Sequence, residues 1–259
     1  MNPPPDPWAH LAALTPARIA LGRSGASLPT REVLAFSLAH ARARDAVHAP
    51  FDAERLATEI EQLGLKTLRV ESAAPDRATY LRRPDLGRRL SEDSQARLAA
   101  RAATPCDLAL VVADGLSSPA VHAHAPAVLA ALKPGIEAAG WRLPPVVIAN
   151  QGRVALGDQV GELLGARLVI LLVGERPGLS SPDSLGAYIT FAPRVGRTDA
   201  MRNCVSNIRS AGLSHDQAAF RILWLAREAL RLGHTGVDLK DESDLRSLAP
   251  AGGGKTLGD

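Results

Sequence analysis

The sequence predicts an α/β protein with a Rossmann-like, doubly wound parallel sheet, preceded by an N-terminal helical arm. Two observations predict the sheet: short apolar runs rich in β-branched residues, and helical patterns between them. Runs that are apolar on both faces are typical of parallel strands covered by helices on each side. The five predicted strands are Thr67–Val70, Leu108–Ala113, Val146–Ala149, Leu168–Val173 and Tyr188–Phe191.

The segments between and after these runs repeat apolar residues every three or four positions, which is the period of a helix packed on a sheet. With right-handed crossovers, such helices cover both faces of the sheet. The predicted helices are Glu92–Ala102, Ala120–Ala139, Leu156–Leu164 and Ser214–Leu232.

The first fifty residues differ from the rest. Thr30 can cap a helix whose apolar residues include Val33 and Phe36, and a second helical pattern follows at Asp52–Leu63. We therefore predict three parts: an N-terminal extension and helical arm (1–50), a Rossmann-like domain (51–247) and a flexible Gly-rich tail (248–259).

The composition of the 259 residues excludes several classes of protein. Hydrophobic residues make up 46% and charged residues 22%, which is ordinary for a globular protein. The apolar runs are far shorter than the ~20 residues of a membrane span, and Met1–Pro7 lacks the features of a secretion signal. The net charge is only +3, and no basic patch is interleaved with aromatics, so nucleic-acid binding is not expected. Two cysteines cannot build a disulfide framework, which favours the cytoplasm.

Polar, Gly-containing loops follow three of the predicted strands. They are Asp114–Ser118, Asn150–Val154 and Gly174–Leu179. One such loop alone is more often an ordinary turn, with Asp114 and Ser117 capping the next helix. Because the carboxyl ends of parallel strands meet at one edge, three such loops together predict a ligand site there.

Familiar catalytic and metal motifs are missing. No G-x-G-x-x-G follows a strand. The segment Gly252–Thr256 resembles the end of a P-loop motif, but the first glycine that the motif requires would fall at position 249, which is Ala249. His122 and His124 are two residues apart on a predicted helix, so they point to different faces and form a poor metal pair. Cys204 is a lone cysteine in the polar segment Arg197–Arg209, where a small buried residue is the usual interpretation. We predict neither a metal site nor a catalytic residue on this chain.

Six segments, in order, resemble the small subunit of ethanolamine ammonia-lyase, and together they extend from about Arg18 to Gly236. The two most specific are Gly174-Glu175-Arg176-Pro177-Gly178-Leu179 and Arg202-Asn203-Cys204-Val205-Ser206-Asn207-Ile208. The others are Arg18–Gly25, Tyr80–Leu90, Asp114–Ser117 and Ser184–Tyr188.

The resemblance implies a complex with a large, barrel-shaped catalytic subunit, with six copies of each chain. Adenosylcobalamin would lie between the two subunits, and the large subunit would carry the pocket in which ethanolamine is converted by a radical mechanism to acetaldehyde and ammonia. Cofactor contacts of the small subunit are implied at Val154, Glu175 and Cys204. The signature D-x-H-x-x-G is absent, which agrees with a cofactor that keeps its nucleotide base on cobalt. The chain is then expected in the cytoplasm, or packaged within a bacterial microcompartment.

The residues themselves leave two other functions open. One is a free-standing Rossmann-like enzyme that acts on a small molecule through Asp114, Glu175 and Arg176; the other is a structural subunit that touches no cofactor. The arginine-rich segment Tyr80–Leu90 is equally open: it either faces a partner protein or is a solvated loop whose leucines pack inward.

Overall fold

The structure, a computed structural model, describes residues 8–12, 14–15, 17–101 and 105–244. Met1–Pro7 and the predicted tail at 248–259 lie outside these ranges. The described chain is a mixed α/β fold around a six-stranded sheet in the order β1-β3-β2-β4-β5-β6. The strands are β1 (Thr67–Glu71), β2 (Cys106–Ala113), β3 (Val146–Asn150), β4 (Ala166–Gly174), β5 (Leu185–Phe191) and β6 (Asn203–Ile208).

Eight α-helices and two short 3-10 turns are formed by the described residues. Asp52 and Ser214 cap α3 and α8 by accepting hydrogen bonds from the backbone N–H of Arg55 (3.0 Å) and Gln217 (3.3 Å). The helices are α1 (Ala9–Ala12), α2 (Thr30–His48), α3 (Ala53–Glu61), α4 (Arg77–Arg82), α5 (Glu92–Ala99), α6 (Ser118–Ala138), α7 (Leu156–Leu163) and α8 (His215–Leu232); the 3-10 turns are Leu86–Arg88 and Asp199–Met201.

The predicted parallel arrangement holds for β1 to β4, whereas β5 runs antiparallel to β4 and β6 antiparallel to β5. The connection from β4 to β5, residues 175–184, contains no helix and is shorter than the dozen or more residues that a parallel crossover requires. The sheet is therefore mostly parallel, with an antiparallel edge.

Each face of the sheet has its own apolar core. Leu110 and the residues that alternate with it on β2 pack with α3, α6 and α8 on one face. Its neighbour Val111 belongs to the other face, which α5 and α7 cover. Burial on both faces explains why the predicted strands are almost continuously apolar.

The helix α2 is exposed along nearly its whole length. Ala46 is its one buried residue, and Leu34 and Phe36 are 63% and 45% exposed. The expected cap at Thr30 is wrong: α2 begins at Thr30 itself, with Pro29 at the capping position and no side-chain cap. Its carboxyl end is tied to the sheet domain, because the Arg77 Nε donates to the carbonyl of Val47 (2.7 Å). Among the helices of the described residues, none is long and apolar enough to cross a membrane.

Candidate functional site

The loops that follow β2, β3 and β4 meet at the carboxyl edge of the parallel strands, as their common placement in the sequence predicts. Between them lies an open cleft of about 370 Å³. Its walls combine backbone from all three loops with two tyrosines. They are formed by Tyr80, Gly115, Leu116, Gly152, Arg153, Val154, Val173, Gly174, Glu175, Arg176 and Tyr188.

Two glycines allow the floor of the cleft to close. Gly115 has φ +57°, and a Cβ atom there would lie 2.2 Å from the carbonyl oxygen of Gly174. A Cβ atom on Gly174 would lie 2.1 Å from the carbonyl oxygen of Ser117. The backbone N–H of Leu116 donates to the carbonyl of Gly174 (2.9 Å), so the loops after β2 and β4 are joined directly. Neither position has room for a side chain.

Val154 and Glu175, two of the predicted cofactor contacts, line this one cleft. Val154 is half-buried against the core beneath α5 and α7. The Glu175 carboxylate accepts hydrogen bonds from the Ser184 hydroxyl (2.5 Å) and from the backbone N–H of Asn207 (3.4 Å). These two bonds use part of the acceptor capacity of the carboxylate to hold the loop.

Cys204, the third predicted contact, lies on β6 directly opposite Tyr188 of β5. The residue is exposed, but surrounding atoms shield its thiol and raise the pKa to about 11. A hydrogen bond with Tyr188 opposes that shift, and the negative charge of Glu175 adds to it. The thiol is therefore protonated at neutral pH and offers a neutral contact. It is not a nucleophile in this state, because cysteine attacks as the thiolate. Tyr188 lines the cleft, so Cys204 lies next to a wall of the cleft and not in it.

Asp114 is not available to a ligand. Its carboxyl group is buried, with 1% of the residue exposed, and it contacts Arg77 Nη1 at 3.1 Å. Burial raises the pKa of Asp114, whereas Arg77 and the backbone N–H of Gly152 lower it. The set Asp114, Glu175 and Arg176 is therefore not assembled in the cleft. Of the two residues that an ordinary turn would use as caps, Ser117 caps α6, since its hydroxyl accepts from the N–H of Ala120 (3.3 Å), whereas the Asp114 carboxylate binds Gly152 and Arg77 instead.

Sequence reasoning missed the importance of Tyr80. Its side chain is fully buried, and the guanidinium groups of Arg77 and Arg153 lie 4.8 and 4.5 Å from the centre of its ring. Leu90, at the far end of the same arginine-rich segment, is also buried. The available signal was a rare tyrosine in a chain with only 3% aromatic residues. The segment thus has an inward-facing apolar side, while Arg82, Arg83, Arg88 and Arg89 are exposed.

A second cavity, of about 680 Å³, adjoins the cleft and shares Arg153, Val154 and Tyr188 with it. Arg89 and Arg197 contribute to its basic wall. At its base, the buried guanidinium of Arg202 pairs with the Asp158 carboxylate at 2.5 Å. Another cavity of similar volume opens near Lys66 and Pro145, at the amino ends of the strands and away from the three loops. Of these two cavities, only the one that shares Arg153, Val154 and Tyr188 with the cleft extends the candidate site.

The histidines behave as their spacing predicts. His122 accepts a hydrogen bond from the backbone N–H of Asp52 (3.2 Å), whereas His124 turns toward His215 (3.1 Å). Within the ranges that the structure describes, no group of three or more His, Cys, Asp or Glu residues is arranged to hold a metal ion.

Comparison with known proteins gives a consistent result. Residues 5–240 match the family model described as ethanolamine ammonia-lyase light chain. The chain is 60% identical over 241 residues to the ethanolamine ammonia-lyase small subunit of Bradyrhizobium diazoefficiens, covering 93% of this chain and 92% of the relative. It is 58% identical to the proteins of that name from Xanthomonas campestris pv. campestris (94% and 90% covered) and Pseudomonas putida strain KT2440 (95% and 92% covered).

Proposed function

Because the chain belongs to the family of ethanolamine ammonia-lyase small subunits, we propose that its cleft holds one side of adenosylcobalamin at the interface with the large catalytic subunit. The chain is thus one component of a lyase, and it completes the cofactor site without carrying the substrate pocket. The observation that carries this proposal is the convergence of Val154 and Glu175 on one open cleft, with Cys204 against its Tyr188 wall. Among the described residues that line the cleft, Asp114 is not included and Glu175 has no acid–base partner, which favours cofactor binding over the free-standing enzyme.

The residues present fit such a cofactor. Cobalamin is a large macrocycle with a rim of amide groups, and it needs wide space and hydrogen-bonding partners. The cleft and its adjoining cavity, of about 370 and 680 Å³, offer space beside the backbone of three strand-end loops. Arg153 lines both cavities. Its Nε atom is buried and has no hydrogen-bond partner among the described residues.

Three side chains would make the contacts. Val154 would supply an apolar surface, the protonated thiol of Cys204 a neutral one, and Glu175 an acceptor for amide N–H or hydroxyl groups. When bound, the cofactor supplies the radical that begins the conversion of ethanolamine to acetaldehyde and ammonia. This chain contributes position: its loops are already held in place, so little conformational entropy is lost on binding.

We extend the proposal to architecture and assembly. Residues 51–247 act as a Rossmann-like, doubly wound cobalamin-contacting domain, which is supported by four parallel strands with helices on both faces. Residues 1–50 act as a helical arm, which is supported by the exposure of α2. Six small and six large subunits form the complex, located in the cytoplasm or within a bacterial microcompartment.

Reconstitution tests the function. The isolated chain should not deaminate ethanolamine when adenosylcobalamin is added, whereas mixing it with the large subunit should give turnover. Gel filtration monitored at the absorbance of cobalamin should show the cofactor eluting with the mixed complex. Turnover by this chain alone would support the free-standing enzyme. A large subunit that binds cobalamin equally well with and without this chain would support a purely structural subunit.

A further inference from the structure

We infer that Tyr80 and Asp114 are positioning residues: they hold the turn at Gln151–Val154 so that Val154 is presented to the cofactor. The inference rests on the proposed function, since Val154 is its proposed contact. It arises from a set of buried polar groups beneath the cleft, none of which belongs to the three contacts themselves.

The turn after β3 has an unfavourable backbone conformation. Gln151 has φ +54°, in the left-handed region that residues with a Cβ atom seldom adopt. Such a conformation persists only where the surrounding structure holds it, and it occurs most often at functional sites. The Gln151 side chain takes part in holding the turn, because its Oε1 accepts from Arg77 Nη1 (3.3 Å).

Both backbone polar groups of the next residue, Gly152, are bound by side chains. Its N–H donates to Oδ1 of Asp114 (3.0 Å), and its carbonyl accepts from the hydroxyl of Tyr80 (3.1 Å). A Cβ atom on Gly152 would lie 2.8 Å from the Cβ of Ala113, so the turn packs tightly on β2. The peptide groups on both sides of Gly152 are therefore fixed two residues before Val154.

Tyr80 is itself immobilised. Two guanidinium groups, those of Arg77 and Arg153, contact its ring, and Arg153 Nη2 donates to the Tyr80 carbonyl (3.1 Å). Gly87 leaves space for the ring, since a Cβ there would lie 2.7 Å from Tyr80 Cε2. Burial raises the pKa of Tyr80, so its hydroxyl remains a donor at physiological pH.

These contacts make the turn rigid before any ligand arrives. A loop that is already ordered loses less entropy on binding, and this favours affinity without adding a contact. Losing the Tyr80 hydroxyl or the strained residue should loosen the turn and weaken cofactor binding, while the reaction within the loaded complex is unchanged.

Two variants test the inference in the complex with the large subunit. Tyr80→Phe removes only the hydroxyl. Gln151→Gly relieves the left-handed strain, so it should leave thermal stability nearly unchanged while freeing the turn. The control is Thr235→Val, which removes another buried hydroxyl that donates to a backbone carbonyl (Met201, 2.6 Å), near the opposite edge of the sheet.

Amide hydrogen exchange at residues 152–154 is measured in the cofactor-free complex, and adenosylcobalamin affinity by equilibrium dialysis. Both test variants should speed exchange and raise the dissociation constant by roughly fivefold, the effect of one neutral hydrogen bond, with kcat at saturating cofactor retained. Thr235→Val should change neither quantity. Wild-type exchange and affinity in both test variants would overturn the positioning role. A wild-type complex that binds no cobalamin would instead reject the proposed function, and exchange would still decide whether Tyr80 holds the turn.

Discussion

At the scale of single residues, Glu175 has two roles that can be separated. Its carboxylate lines the cleft and also accepts from Ser184, whose residue is 6% exposed. The sequence placed Glu175 after a strand and before Arg176-Pro177, which predicts a stiff turn. It did not predict the bond to Ser184, because nothing in a linear pattern shows which later hydroxyl reaches this carboxylate.

We expect Glu175→Ala to weaken cobalamin binding in the reconstituted complex by about 1–3 kcal/mol, because an acceptor for the cofactor is lost. Glu175→Gln retains an acceptor oxygen and should lose less. Cofactor titration monitored by absorbance gives the affinities, and thermal unfolding of the chain gives the stability.

The matched control for this prediction is Ser184→Ala, which removes the internal hydrogen bond and leaves the carboxylate in place. It should lower stability about as much as Glu175→Ala and leave cofactor affinity near wild type. If Ser184→Ala weakened cobalamin binding to the same extent, Glu175 would be a loop-shaping residue and not a contact.

At the scale of elements, the sequence predicts what depends on apolar period and misses what depends on pairing. The five strands and the helices α3, α5, α6, α7 and α8 all appear within a few residues of their predicted bounds. The strand β6 was missed because it lies at the edge of the sheet, where Cys204, Ser206 and Asn207 are exposed and no continuous apolar run is needed. The fold class alone was enough to predict that the strand-end loops cluster. The supporting roles of Tyr80 and Arg77 could not be predicted, because they depend on contacts with residues far away in the sequence.

The helices α6 and α8 meet at a histidine pair that should make stability depend on pH. His124 is 3% exposed, and its Nδ1 lies 3.1 Å from Nε2 of His215. Its own Nε2 lies 3.7 Å from the Asp183 carboxylate. Burial and then His215 lower the pKa of His124, and Asp183 opposes them. An unfolded histidine titrates near about 6.5, so the unfolded chain takes up a proton that the folded chain resists. The free energy of unfolding should therefore be greatest above that pH and decrease as the pH falls below it.

Urea unfolding at a series of pH values between about 5 and 8 measures this effect. His124→Asn, which is neutral throughout, should have a smaller loss of stability toward pH 5 than wild type. His48→Asn is the control, because His48 is exposed on α2 and should leave the wild-type dependence unchanged. A pH dependence that is identical in wild type and His124→Asn would contradict the prediction.

At the scale of the whole molecule, the exposed arginines of the Tyr80–Leu90 segment are candidates for the interface with the large subunit. Arg82 and Arg83 are exposed, while Tyr80 and Leu90 are held in the interior, so charge can be changed without disturbing the core. Replacing both arginines by glutamate should weaken association by roughly tenfold, or about 1.4 kcal/mol, with unchanged thermal unfolding of the isolated chain. Sedimentation of mixtures over a concentration series measures the association.

A control with the same change in charge is available on another surface. Arg227 and Lys240 are exposed and lie in and after α8. Replacing both by glutamate should leave association near wild type, since the prediction concerns place and not net charge. Equal weakening by both double variants would attribute the effect to long-range electrostatics, and no weakening by Arg82 and Arg83 would mean that the segment is a solvated surface.

The order of strands in the sheet also has a consequence for how the chain matures on the ribosome. Among the described strands β1 lies at the edge beside β3 alone, and its first residue, Thr67, is in register with Val146, nearly eighty residues later. At translation speeds of about 5–20 residues per second, β1 waits for several seconds with its backbone unpaired. By contrast, β5 and β6 each pair with the strand that directly precedes them in the chain. Nascent chains are thus most vulnerable to chaperone capture and aggregation before β3 emerges, and synonymous codon changes that slow translation between β1 and β3 should lower the yield of folded protein more than equal changes after β4.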